Sequence, residues 1–464
     1  MKIEGRKSLV LGAGRSGIAS ARFLAERGAV VALHDAKPIA EWSEEARSLK
    51  ETSNVGLIEG KLPSWLLDQI DLLIISPGVP TNSIPARYVD RKDGEVIGEV
   101  ELAYRFMKGR IVAITGSNGK TTTTTLIGEL LKEGGIPVQV GGNIGVPLLS
   151  LAESSREDGW TVVELSSFQL ETIKEFRANV AICLNVTPNH LDRYESFTDY
   201  AAAKHRIVNN QTEDDVAILN ADDEITASWS AGLKGSVSFF SVRRELEEGV
   251  FLRGRELVAR ANGKERVLTT RDEILLPGSH NVENILTALS AGLACGVSPE
   301  SMKRTVASFA GVEHRIERCG EIRGVTFFND SKATSVDATL KALEALAERD
   351  GRTVLILGGR GKNAPYAPLV PLIESSVRAL VVIGEDGDNI ESQLSKYAEV
   401  VRAGSMAEAV NSAFAKAEAG DSVLLAPACA SFDMFKSFEE RGTVFKAEVE
   451  RLSNVCKISA AGNE

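Results

Sequence analysis

Short, continuous apolar runs recur along the chain and alternate with longer stretches in which apolar residues return every three or four positions. The first pattern marks strands buried on both faces, the second amphipathic helices, and their alternation marks α/β folds built on parallel sheets. Ser8–Leu11 predicts a buried strand, followed by a glycine-rich turn and a helix with Ile18, Ala21 and Ala25 on one face, ended at Gly28. Val30–His34 and Leu72–Ser76 predict two more strands, the latter stopped by Pro77-Gly78. A composition shift after Asn82–Pro85 and a helix over Gly98–Gly109 mark a boundary. The next series of strands is Arg110–Thr115, Thr161–Leu165, Val180–Asn185 and Val216–Asn220. Over Ser236–Leu276, short β-type runs broken by charged turns and by Gly249, Gly254 and Gly263 predict a small antiparallel β meander, with a helix from about Asn281 to Cys295. Gly296-Val297-Ser298-Pro299 opens a third series, Val325–Asn329, Val354–Leu357, Leu380–Ile383 and Val423–Ala426. The expected fold is α/β in three domains, 1–98, 99–297 and 298–464, the first and last Rossmann-like.

The length of 464 residues agrees with about three domains. Net charge is −11, from 53 basic and 64 acidic residues, which argues against a general nucleic-acid or anionic-membrane binder. Cys183, Cys295, Cys319, Cys429 and Cys456 form no CxxC pair and are odd in number, so neither a disulfide framework nor a zinc site is expected. The apolar runs fall far short of the ~20 residues that span a bilayer. Met1–Arg6 runs straight into a strand, so no secretory leader is expected. A cytoplasmic monomer without nucleic-acid or membrane partners is expected.

Chemistry enters at Thr115-Gly116-Ser117-Asn118-Gly119-Lys120-Thr121-Thr122, between a strand and a helix. Phosphates need that placement, because backbone N–H groups and the positive helix end then face the anion. In such a loop Lys120 reaches the β- and γ-phosphates and the Thr121 hydroxyl ligates Mg²⁺. The central domain is therefore read as a P-loop-type ATPase domain. The loop is two residues shorter than G-x-x-x-x-G-K-[ST], with Ile114 where the longer form has glycine. Open α/β sheets bind ligands beyond the carboxyl ends of their strands. Glu164 and His190 follow two neighbouring strands and read as Mg²⁺ ligands or anchors of its water shell.

Gly12-Ala13-Gly14-Arg15-Ser16-Gly17 is a complete G-x-G-x-x-G after a strand, with Asp35 placed 18 residues after Gly17. Alone it reads as an NAD-dependent dehydrogenase site, yet any diphosphate asks for the same backbone donors. The glycine motif does not discriminate. A non-catalytic nucleotide switch is a third reading, disfavoured because groups of catalytic type recur in all three domains.

Taken in order, Thr115–Thr122, Asn185–His190, Gly278–Asn284, His314-Arg315, Asn329–Thr334 and Gly358–Lys362 resemble the Mur ligase family, ATP-dependent amide ligases of bacterial cell-wall precursor synthesis. The resemblance spans essentially the whole chain. Glu164–Glu171 and Ala426–Ser431 resemble the branch that adds D-glutamate to UDP-N-acetylmuramoyl-L-alanine, and the D-N-P-R run of the diaminopimelate-adding branch is absent. The resemblance implies phosphorylation of a substrate carboxylate by ATP, then attack of an amine on the acyl phosphate. It implies that Lys120 holds the γ-phosphate, that Gly116, Ser117, Asn118, Gly119, Thr121 and Thr122 cradle ATP, and that Asn281, Asn284, Arg315 and Asp330 complete the nucleotide site. Thr121 and Glu164 would hold one Mg²⁺ and His190 a second. Lys204 matches the lysine that the family carbamylates, although a helical lysine read alone would be solvated. Gly14, Arg15, Ser16, Asp35, Lys37, Gly78 and Asn143 would face the UDP-sugar. Lys332, Thr334, Lys362, Ser431, Phe432 and Phe438 would surround D-glutamate, whose two carboxylates call for cationic and hydroxyl donors.

Overall fold

The computed structural model describes residues 1–84, 94–188, 193–276, 278–347, 349–361 and 364–461. His190 and Lys362 lie outside the described residues. The chain forms two compact units. One comprises Met1–Glu273 with Val282–Ala307, the other Ile274–Asn281 with Ser308–Glu464.

The first unit contains two sheets. The N-terminal one is wholly parallel, from β1 (Lys7–Leu11), β2 (Val30–Asp35), β3 (Val55–Glu59), β4 (Leu72–Ile75) and β5 (Glu95–Gly98), in the order β3-β2-β1-β4-β5. Strand order reverses between β1 and β4, so the glycine-rich turn after β1 and Ser76-Pro77-Gly78 after β4 meet at the switch point where such sheets bind ligands. Gly17 lets the helix Arg15–Glu26 lie close on the sheet, since a Cβ there would strike the Gly12 carbonyl.

The second sheet holds β6 (Arg110–Thr115), β7 (Val138–Gly142), β8 (Trp160–Glu164), β9 (Val180–Cys183), β10 (Val216–Asn220), β11 (Ser236–Ser241), β12 (Gly249–Arg253), β13 (Glu256–Ala261) and β14 (Lys264–Thr270). Its order is β14-β13-β12-β11-β10-β9-β6-β8-β7. The antiparallel meander expected from Ser236 begins later. β11 pairs parallel with β10, and only β12, β13 and β14 run antiparallel, continuing the same sheet. The helix Glu224–Ser228 between β10 and β11 supplies the crossover that a parallel pairing needs.

The second unit has one sheet of β15 (Glu317–Ile322), β16 (Val325–Asn329), β17 (Thr353–Gly358), β18 (Val377–Ile383), β19 (Glu399–Arg402) and β20 (Ser422–Leu425), ordered β15-β16-β20-β17-β18-β19. All neighbours are parallel except β15 with β16. The helix Pro299–Ser308, given by the sequence to the third domain, lies up to Ala307 in the first unit. Met302 and Val306 bury its apolar side there, and Arg304 pairs with Glu133.

Candidate active site

The phosphate loop leaves β6, which lies between β8 and β9 at the reversal of the second sheet. Gly119 caps the helix Lys120–Glu133 in the left-handed conformation (φ 81°), and a Cβ there would overlap the Asn284 side chain. Glycine is thus required by backbone and neighbour together. Asn185, just after β9, clamps the loop: its carbonyl accepts from Ser117 N at 3.0 Å, and its Oδ1 accepts from Ser117 N at 3.1 Å and Asn118 N at 2.9 Å. Ser117 Oγ lies 3.0 Å from the Tyr200 hydroxyl and donates to Thr187 O at 3.0 Å. Sequence reasoning gave no role to Tyr200. The Ser196 N-cap that starts its helix was the available signal.

Two amines converge on one carbonyl. Lys120 Nζ donates to Gly116 O at 2.9 Å and Lys204 Nζ to the same oxygen at 2.8 Å. Lys204 is only 2% exposed, contrary to the solvated lysine that its helix suggests. Burial, with the Lys120 charge beside it, pushes its amine down to about 7. Glu164, ending β8, accepts from Thr121 Oγ1 at 2.8 Å through one oxygen and from Asn143 Nδ2 at 3.0 Å through the other. Asn284 Oδ1 accepts from Thr123 Oγ1 at 3.3 Å, so the helix Ser279–Ala294 reaches the loop. Asn281 is buried on that same helix. Thr122 is half-buried at the helix start and Asn118 exposed at the loop tip. The structure thus brings Lys120, Thr121, Glu164, Lys204 and Asn284 together around Gly116–Gly119. A buried carboxylate and a hydroxyl 2.8 Å apart are the hard oxygen donors that suit Mg²⁺.

A cleft of about 850 Å³ opens at the switch point of the N-terminal sheet. Gly14, Arg15, Ser16, Asp35, Lys37, Gly78 and Asn143 all lie on its wall, with Gln169, which sequence reasoning did not single out. A Cβ on Gly14 would project into open space, leaving its backbone free for close approach of a ligand. Partial burial pushes the Asp35 carboxyl up, but the N–H groups of Ala13 (2.9 Å) and Lys37 (3.0 Å) outweigh it and hold Asp35 below the usual carboxylate range.

In the second unit, the loops after β16, β20 and β17 leave adjacent strands. Burial pushes Asp330 up to about 7, against the pull of Arg315 and Lys332. Lys332 Nζ lies 5.9 Å from the Phe438 ring, which meets His314 edge-on at 6.3 Å. Ser431 is buried, Thr334 half-buried, and Phe432 stands 65% exposed. The fully buried Arg441 ties two of these loops together, donating to Ser331 Oγ (2.9 Å), Ser331 O (2.8 Å) and Cys429 O (3.1 Å).

These loops and sheets match a known plan. Residues 6–98 match the Mur ligase MurD-like N-terminal domain, 114–292 the Mur ligase middle domain, and 314–429 the Mur ligase glutamate ligase domain. The chain belongs to the Mur ligase family, whose members use ATP and Mg²⁺. Its relatives include the UDP-N-acetylmuramoylalanine–D-glutamate ligase of Solibacter usitatus, 47% identical over 97% of this chain and 99% of that protein. The same enzyme of Koribacter versatilis is 45% identical over 98% and 99%. Among solved structures, UDP-N-acetylmuramate-alanine ligase MurC from Thermotoga maritima has a TM-score of 0.56 at 21% identity, covering 97% of this chain and 100% of that one. That likeness speaks for the fold alone. The match over 6–98 gives the first glycine motif to a ligase and removes the dehydrogenase reading. No helix among the described residues is long and apolar enough to cross a membrane.

Proposed function

We propose that the chain is an ATP-dependent ligase that joins D-glutamate to UDP-N-acetylmuramoyl-L-alanine in peptidoglycan precursor synthesis, forming ADP and phosphate. The observation that carries this is identity of 42–47% to D-glutamate ligases over at least 96% of the chain. The substrate carboxylate oxygen attacks the γ-phosphorus of ATP and ADP leaves. The amine of D-glutamate then attacks the acyl carbon, loses a proton, and phosphate departs through a tetrahedral intermediate.

Each stage gathers negative charge, and this chain's residues are arranged to meet it. Lys120 and the N–H groups of Gly116–Thr122 take the phosphates, and Asn281, Asn284, Arg315 and Asp330 the rest of the nucleotide. Gly14, Arg15, Ser16, Asp35, Lys37 and Gly78 hold the UDP moiety, and Asn143 the sugar-peptide side. Lys332, Thr334, Lys362, Ser431, Phe432 and Phe438 receive D-glutamate. Mg²⁺, two ions in this reading, supplies Lewis-acid neutralisation of the transferring phosphoryl group. Thr121 and Glu164 would hold one, His190 and Lys204 the other. An ammonium repels a cation, so Lys204 serves as its carbamate: the neutral amine attacks the carbon of CO₂ and releases a proton. Its burial and its depressed basicity support that reading.

The test is phosphate release with ATP, Mg²⁺, UDP-N-acetylmuramoyl-L-alanine and D-glutamate. Release is expected only with all four present. No release from folded protein overturns the assignment, and NADH oxidation with carbonyl substrates would revive the dehydrogenase reading.

A further inference from the structure

Arg193 has no part in the chemistry above, yet its side chain is only 16% exposed and both terminal nitrogens are hydrogen-bonded. Nη1 donates to Pro77 O at 2.7 Å, and Nη2 to Val79 O at 3.4 Å and to Glu171 Oε2 at 3.4 Å. The guanidinium carbon lies 3.8 Å from the centroid of the Phe168 ring. The other Glu171 oxygen accepts the Tyr194 hydroxyl at 2.6 Å, while Thr81 Oγ1 donates to Oε2 at 3.4 Å.

The two ends of this network matter differently. Pro77 and Val79 belong to the turn after β4 and line the 850 Å³ cleft. Phe168 and Glu171 belong to the segment that follows β8, the strand ending at Glu164, and Gln169 between them lines the same cleft. One planar guanidinium therefore joins the lip of the sugar-nucleotide cleft to the chain that leaves the catalytic sheet. A planar fork can meet two carbonyls, a carboxylate and a ring face together, which a lysine ammonium cannot.

We propose that Arg193 is a positioning residue for the sugar-nucleotide substrate: by fixing the Ser76–Val79 turn against Phe168 and Glu171, it holds the cleft in its binding shape. The inference rests on the ligase reading of the cleft. A mere brace between elements would alter thermal stability without selecting among substrates. A positioning residue alters the constants of the substrate whose cleft it shapes.

The test compares full-length Arg193→Ala and Arg193→Lys with the unsubstituted chain. Loss of charged hydrogen bonds of this kind changes binding by about tenfold. The alanine variant should raise KM for UDP-N-acetylmuramoyl-L-alanine by about that factor, while KM for ATP and for D-glutamate stays within about twofold. The dissociation constant of UDP, by titration calorimetry, should rise in parallel, and added guanidinium should restore part of the loss. Arg193→Lys keeps the charge but loses the planar fork, so it decides the matter if the alanine variant does not fold; it too should raise KM for the sugar nucleotide selectively. An unchanged sugar-nucleotide KM in the folded variants overturns the proposal, as does an equal rise in the ATP KM. An unsubstituted chain that releases no phosphate strikes the ligase reading instead, and UDP titration still reads the role of Arg193.

Discussion

Lys204 shows how a single side chain is decided by neighbours distant in sequence. Its helix, Phe197–His205, has no distinct apolar face, and on propensity alone the lysine would face water. Instead Tyr200 and Gly116 enclose it, the ring centroid 4.7 Å and the carbonyl 2.8 Å from Nζ. Burying an ammonium is costly, and the Lys120 charge beside it adds to the cost, which is why its basicity falls toward neutrality. The neutral amine that results is the nucleophile that the proposed carbamylation requires. Lys204→Ala should therefore lower kcat by roughly 100-fold or more, the scale of losing one charge-stabilising group. Formate or acetate in the assay should recover part of the loss by supplying the missing carboxylate. Full activity in the unrescued variant would refute a ligand role.

At the scale of elements, the short helix Glu99–Tyr104 joins the N-terminal sheet to the second sheet through two buried carboxylates in its first turn. Glu101 accepts from the N–H groups of Lys174 (2.7 Å), Glu175 (3.0 Å) and Phe176 (3.0 Å), and pairs with Arg105. Glu99 has one oxygen on Leu149 N at 2.6 Å and the other without a partner among the described residues. Burial pushes Glu99 up to about 7, from the 4.5 of an ordinary glutamate. The folded state thus binds the proton more tightly than the unfolded chain. Glu99 therefore contributes most below pH 4.5, and its contribution falls as pH rises to about 7. The full loss is on the order of 3 kcal/mol. Glu99→Gln should remove this slope, so its apparent melting temperature should gain on that of the unsubstituted protein between pH 5 and pH 8. A constant difference across that range would show that Glu99 titrates normally. Legibility also divides by element. Central strands such as Arg110–Thr115, Val216–Asn220 and Val325–Asn329 emerge with the boundaries that their apolar runs predict. The strands that escape the pattern are β3, β5, β7, β15 and β19, each at a sheet edge. An edge strand has one neighbour and an open flank, so Val55–Glu59, Val138–Gly142 and Glu399–Arg402 carry glycine or charge and no continuous apolar run.

For the whole molecule, the three domains expected from the sequence each match a family model, whereas the folded chain packs them into two compact units. The difference lies in packing that no local pattern records. One continuous hydrophobic core runs from Val10 and Leu24 of the first sheet through Val100 and Leu102 to Leu148, Phe176 and Ile207 of the second. Arg27–Glu153, Arg193–Glu171 and the Glu99 and Glu101 contacts reinforce it. The C-terminal sheet has its own cores, around Leu355 and Leu424 on one face and Phe327 and Val381 on the other. Elements that share one core unfold together, so scanning calorimetry should resolve two transitions rather than three. The larger belongs to the unit built on Met1–Glu273. UDP should distinguish them, because the cleft proposed to receive it is walled entirely by that unit. At about 100 times its Kd a ligand adds about 2.7 kcal/mol to the unit that binds it. Saturating UDP should therefore raise the larger transition and leave the other in place. A third transition, with UDP raising only a small N-terminal one, would show that the N-terminal sheet melts alone and that the core shared across Val100 and Leu102 does not couple it to the catalytic sheet.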